Sequence, residues 1–172
     1  GSCFPKDLSA FIKISKQIGY DFKLLKEVQR INADQMERFV KKITDTLWVL
    51  KDKKIGVLGL AFKQNTDDVR SSPAIDLCQR LLKDGATLRV HDPKAMEKTK
   101  PILPGVTYLD DMNAVAEGCD ALVVATEWDE FKQLDLARAK KSMTAPILFD
   151  GRTLFDPAEM EKLGWIYKSV GR

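Results

Sequence analysis

Lys54-Ile55-Gly56-Val57-Leu58-Gly59-Leu60 is a short apolar run that closes on glycine, and a polar stretch leads from it to Ser72-Pro73. A run of this length bounded by glycine reads as a strand, and serine before proline is a helix start. Ala74, Ile75, Leu77, Cys78, Leu81 and Leu82 then give one apolar helical face, and Gly85 stops it. Residues 86–90 read as a second strand, closed by His91-Asp92-Pro93. Outward from this unit the alternation continues. Strands are expected at 106–109, 121–125 and 147–149, helices at 110–117 and 133–141, and a short helix from Asp156-Pro157. Residues 165–168 form an edge strand on this reading. The continuous apolar run 121–125 marks a strand buried on both faces of a parallel sheet. The fold class is α/β, a doubly wound parallel sheet, and ligands gather outside the C-terminal ends of such strands.

The first fifty residues have another texture. Pro5 suits the first turn of a helix. Leu8, Phe11, Ile12, Ile14 and Ile18 follow at mostly helical spacing to Gly19. From Asp21 the pattern restarts with Phe22, Leu25, Val28, Met36, Phe39, Val40, Ile43, Leu47 and Leu50, and neither Gly nor Pro interrupts it before Gly56. A helix of about 30 residues would run about 45 Å, longer than one small domain requires. Asn32 is its one weak point. Such a helix bridges domains or pairs with a partner chain, and its apolar face predicts a homodimer. The chain therefore divides into a helical region, 1–52, and a sheet domain, 53–172.

Composition narrows the function. The 172 residues carry a net charge of +3, with 44% hydrophobic and 31% charged residues, as ordinary globular proteins do. The basic runs are short and interrupted by acids, so no nucleic-acid partner is expected. No apolar stretch approaches the roughly 20 residues of a membrane helix, and a cytoplasmic location fits. Cys3, Cys78 and Cys119 are odd in number and lack C-x-x-C spacing, which argues against a disulfide framework or a metal site.

Two places carry chemistry. Gly56-Val57-Leu58-Gly59-Leu60-Ala61 stands where a dinucleotide-binding fingerprint would stand, but it lacks the G-x-G-x-x-G spacing. No acid ends the second strand at the usual distance of about 20 residues, since Asp92 lies beyond it. The turn offers Lys63 and Arg70 instead, two cations suited to phosphates. The bland alternative is an exposed polar loop whose cations pair with Asp67 and Asp68. Cys3 sits at a helix N-terminus beside Lys6, and both favour the reactive thiolate. Cys78 and Cys119 read as small buried hydrophobes, and His91 as structural.

Ser2-Cys3-Phe4-Pro5-Lys6-Asp7, followed by the stretch from Gly59-Leu60-Ala61-Phe62-Lys63 through Asn65-Thr66-Asp67-Asp68 and Arg70 to Ser72-Pro73, resembles the UDP-glucose/GDP-mannose dehydrogenase family. Residues 119–128 and Phe149-Asp150-Gly151-Arg152 resemble the same family, so the likeness runs from Cys3 to Arg172. Phenylalanine after the cysteine resembles the members that act on UDP-glucose. The resemblance implies a longer protein, with an NAD-binding Rossmann domain, a central helical region and a Rossmann-like domain for the UDP part of the substrate. This chain matches the latter part of the helical region and the last domain.

The family oxidises a sugar C6 alcohol to a carboxylate with two NAD+, here UDP-glucose to UDP-glucuronate. The resemblance makes Cys3 the nucleophile of a thiohemiacetal and then a thioester, and Asp7 the carboxylate beside it. It places Lys6 and Arg70 against NAD, and Phe62, Lys63 and Arg152 against the substrate. The chain alone is expected to bind UDP-sugar without turning it over, because the family's catalytic lysine lies upstream. GDP-mannose or UDP-N-acetylhexosamine as substrate, or a non-catalytic nucleotide-binding module, are the alternatives.

Overall fold

β1 (Lys54–Leu58) is the centre of the sheet, flanked in parallel by β2 (Thr87–His91) and β4 (Ala121–Val124). β3 (Thr107–Tyr108) extends one side, and β5 (Ile147–Asp150) and β6 (Ile166–Ser169) the other. The six strands run in the order β3-β2-β1-β4-β5-β6, all parallel, so the doubly wound sheet is as the sequence predicts. This order reverses between β1 and β4, which places the ligand crevice outside the C-terminal ends of those two strands. The computed structural model describes residues 3–171, and the side chain of Cys3 lies outside that description.

β4 and β5 are buried at every position, because helices cover both faces. α3 (Pro73–Lys83) starts on Pro73 and turns its Ala74, Ile75, Leu77, Cys78 and Leu81 inward. The Gly85 stop has φ 89°. Residues 110–117, expected as a helix, form only a 3₁₀ turn at Met112–Ala116, capped by the Asp111 side chain accepting from the Asn113 N–H. α4 (Met96–Thr99), a single turn after β2, has too few residues for periodicity to reveal. α5 (Leu136–Ser142) and α6 (Pro157–Lys162) complete the layers, each capped by an aspartate side chain, Asp135 and Asp156.

The N-terminal pair is α1 (Cys3–Gln17) and α2 (Lys23–Leu47). Gly19, at φ 80°, ends α1, and Asn32 does not interrupt α2. At 25 residues, α2 stops short of the expected length because Trp48 takes φ 64° and turns the chain. Phe39 and Ile43 enter the same buried cluster as the sheet, with Met36 and Val40 packed against it. Arg80 of α3 pairs with Glu37, and the Lys42 ammonium donates to the Ser169 carbonyl at 2.5 Å. Met36, Phe39 and Val40 are thus covered by this chain itself and do not form the free face expected of them. Val28 of the expected face does stay exposed, together with Phe11, Ile14, Ile18, Leu24 and Ile31. α1 packs on Phe22, the residue just before α2, through Phe11, with ring centroids 5.9 Å apart, and meets α2 itself where Gln29 donates to Ser9 Oγ.

One glycine decides how tightly the crest closes. Gly59, just past β1, has φ 95°, and a Cβ there would stand 2.5 Å from Thr126 Cβ and 2.7 Å from its backbone nitrogen. Backbone strain and overpacking add, so Gly59→Ala is expected to cost about 2–5 kcal/mol in urea unfolding. A loss below about 1 kcal/mol would mean that the two crest turns are not in fixed contact.

Candidate nucleotide site on the sheet crest

Two buried aspartates at strand ends build the crest. Asp92, immediately after β2, is 0% exposed. Its Oδ2 accepts from the Leu60 and Ala61 N–H groups at 2.7 and 3.0 Å and from Trp128 Nε1 at 3.2 Å. Its Oδ1 accepts from the N–H groups of Lys94 and Ala95 at 2.9 and 2.7 Å. One carboxylate therefore ties the turn after β1 to those after β2 and β4. Asp150, the last residue of β5, does the same on the other side. Its Oδ1 accepts from the Arg152 N–H at 2.8 Å, and its Oδ2 from the Leu154 N–H and the Tyr167 hydroxyl at 2.7 and 2.8 Å.

The segment 59–72 rises from this base. Ser72 Oγ donates back to the Leu60 carbonyl at 2.7 Å, and Thr126 Oγ1 to the Ala61 carbonyl at 2.6 Å. Lys98 of α4 pairs with Asp67 at 2.7 Å and pins the outer bend. Ser71 and Thr153, each following an arginine, both take φ 52°, so left-handed backbone occurs on both sides of the crest. Such strain is held where surrounding contacts impose it.

A cleft of about 470 Å³ opens between this crest and the helical pair. Its floor is Ala125, Gly151 and Arg152, one wall is Ser71, Ser72 and the start of α3, and the other is Asn32, Gln35 and Met36 of α2. Pro5 of α1 closes one end. Among the described residues Arg152 is the cation of the lining. Its Nε donates to the Ala125 carbonyl at 2.9 Å and its Nη2 to the Phe62 carbonyl at 3.3 Å.

The expected site residues divide on this geometry. Arg152 and Phe62 are joined directly, and Lys63 follows Phe62 with its ammonium 5.6 Å from that ring. Lys63 is exposed and does not line the cleft itself. Arg70, also exposed, stands at the far end of the loop and grips Asp68 through Nη2 at 2.7 Å and Nε at 3.0 Å. That guanidinium, with the Arg70 N–H, holds the Asp68 carboxyl down at about 2. Lys6 and Asp7 are exposed on the first turns of α1, 3.9 Å apart, beside the Pro5 that reaches the cleft. Cys3 opens that helix, and its side chain is outside the described residues.

The other thiols behave as buried hydrophobes. Burial raises Cys78 to about 12 and Cys119 to about 11, so neither ionises near neutral pH. His91 is structural, its Nδ1 2.8 Å from the Leu109 carbonyl. Among the described residues no cluster of three or more His, Cys, Asp or Glu could hold a metal ion, and no helix is long and apolar enough to cross a membrane.

Sequence reasoning missed Asp92, Asp150 and Glu127. Its spacing sets Asp92 aside as a ribose acid, and Asp150 stands only within a family motif, so neither reads in the sequence as a buried tie between turns. Asp92 does end the second strand, where a dinucleotide fold keeps its ribose-binding acid. The long loop after β1 is what carries it past the usual spacing. Its five donors leave it nothing for a ligand, so this crest does not fit NAD in the ordinary Rossmann position.

Strand order and crest together define a Rossmann-type nucleotide domain whose own backbone occupies the dinucleotide acid. Residues 56–157 match the model of the UDP-glucose/GDP-mannose dehydrogenase family, UDP binding domain, and the chain belongs to that family. It is 42% identical over 173 residues to UDP-glucose 6-dehydrogenase TuaD of Bacillus subtilis (strain 168), covering 100% of this chain and 38% of that protein. Among solved structures, a UDP-glucose dehydrogenase from Pyrobaculum islandicum matches with TM-score 0.86 and 37% identity, over 99% of this chain and 37% of that one. A UDP-D-ManNAc dehydrogenase from Pyrococcus horikoshii matches with TM-score 0.79 and 30% identity, over 100% and 38%. The chain thus spans under two fifths of the length of these relatives.

Proposed function

We propose that this chain is the UDP-sugar-holding part of a cytoplasmic, homodimeric UDP-glucose 6-dehydrogenase that forms UDP-glucuronate and uses NAD+ as oxidant. The observation that carries the reading is the match of residues 56–157 to a UDP binding domain, together with a cleft of about 470 Å³ over the switch point of that domain. Identity of 42% to a protein named UDP-glucose 6-dehydrogenase favours glucose as the sugar. The exposed apolar side of α1 and the first half of α2 supports a second copy as the dimer partner.

In this reading Lys63 takes the phosphates, Phe62 stacks on or flanks the nucleotide, and Arg152 meets the substrate from the cleft floor. Cys3 at the start of α1 adds as thiolate to the C6 aldehyde, the helix N-terminus favouring its charge. Asp7, one turn on, orders the water that releases the acid. Lys6 and Arg70 are the residues of this chain that would face NAD+, which when bound would supply the hydride acceptor.

The 172-residue chain mixed with UDP-glucose and NAD+ is expected to produce no NADH above a Cys3→Ser control, since Asp92 leaves no ordinary dinucleotide site on it. Absorbance at the NADH band rising with the wild-type chain alone would contradict this division of labour.

A further inference from the structure

Arg152 is held by an arrangement that hydrogen bonding alone does not account for. Its side chain is 29% exposed, so most of the guanidinium stem lies inside the protein. The Nε–H is spent on the Ala125 carbonyl at 2.9 Å, yet Glu127 Oε2 stands 3.1 Å from that same nitrogen. Among the described residues this oxygen takes no hydrogen bond, although it is buried. A buried carboxylate oxygen without a donor is costly unless a charge compensates it, and a half-buried guanidinium has the same need. Glu127 and Arg152 come from the turns after the neighbouring strands β4 and β5, so each supplies what the other lacks on one side of the switch-point crevice.

We propose that Glu127 is a positioning residue, setting the Arg152 guanidinium over the cleft in the orientation that meets the bound nucleotide sugar. The proposal rests on the reading of the cleft as a UDP-sugar site. Without Glu127 the cation loses its counter-charge, and its two carbonyl acceptors compete with bulk water for a side chain free to swing outward. Simple electrostatics makes the opposite prediction for ligand affinity. Removing a negative charge beside the cleft should tighten binding of an anionic nucleotide, whereas losing the position of Arg152 should weaken it.

The test uses titration calorimetry of UDP-glucose with the full 172-residue chain, its Glu127→Gln, Glu127→Asp and Arg152→Ala variants, and the Glu127→Gln/Arg152→Ala double variant. Glu127→Gln is expected to weaken binding about tenfold, Glu127→Asp less, and the double variant no more than Arg152→Ala alone. Unchanged or tighter binding by Glu127→Gln, or additive losses in the double variant, would overturn the proposal. The arginine Nε–H resonance that disappears in Arg152→Lys gives a readout that needs no ligand. It should be slowly exchanging in the wild type and lose that protection in Glu127→Gln, and an unaltered signal would also overturn the proposal. Absence of UDP-glucose binding by the wild type would instead remove the functional reading of the cleft, with the resonance still reporting whether Glu127 holds Arg152.

Discussion

Asp92→Asn is expected to lower stability by about 2–6 kcal/mol, although the side chain keeps its shape. An amide has one acceptor oxygen. Whichever way it turns, its NH2 faces either the Leu60, Ala61 and Trp128 donors or the Lys94 and Ala95 donors. At least two buried N–H groups then lose their acceptor, at about 1–3 kcal/mol each. Total stabilities run about 5–15 kcal/mol, so the loss is a large share. For a chain of this size the melting temperature should fall by roughly 5–20 °C. Thermal and urea unfolding of the variant measure it. A fall of under about 2 °C would show that the crest turns hold without this carboxylate.

Lys63→Ala should weaken UDP binding by roughly 10- to 150-fold, from a charge-assisted phosphate contact of about 1.5–3 kcal/mol. Arg70→Ala should do less. Arg70 spends its guanidinium on Asp68, which stays ionised down to about 2. Its positive charge is therefore largely compensated before a ligand arrives, while the Lys63 ammonium stands 5.6 Å from the centre of the Phe62 ring. Calorimetry of both variants with UDP decides the matter. Equal losses, or a larger loss from Arg70→Ala, would put the phosphates at the other end of the loop.

What the sequence revealed, it revealed through local chemistry. Strand runs, the Ser72-Pro73 and Asp156-Pro157 starts and the Gly19 and Gly85 stops each act within a few residues, and the structure places elements at all of them. Contacts between distant segments were hidden. Met36, Phe39 and Val40 read as a free face because the core that covers them lies far along the chain. The link from Arg152 to Phe62 spans 90 residues, and that from Asp92 to Leu60 spans 32. No periodicity carries either one. Lys63 and Arg70 were readable as loop cations, but not which of them a neighbouring aspartate neutralises.

Titrating the 172-residue chain with UDP and, separately, with NAD+ at matched concentrations tests the central claim most directly. The fold is one that commonly takes dinucleotides, and only the consumption of Asp92 and the character of the 59–72 loop set it apart. Saturable binding of UDP with no saturation by NAD+ is the predicted result. Saturable NAD+ binding without UDP binding would contradict the account, because the crest would then be a dinucleotide site after all.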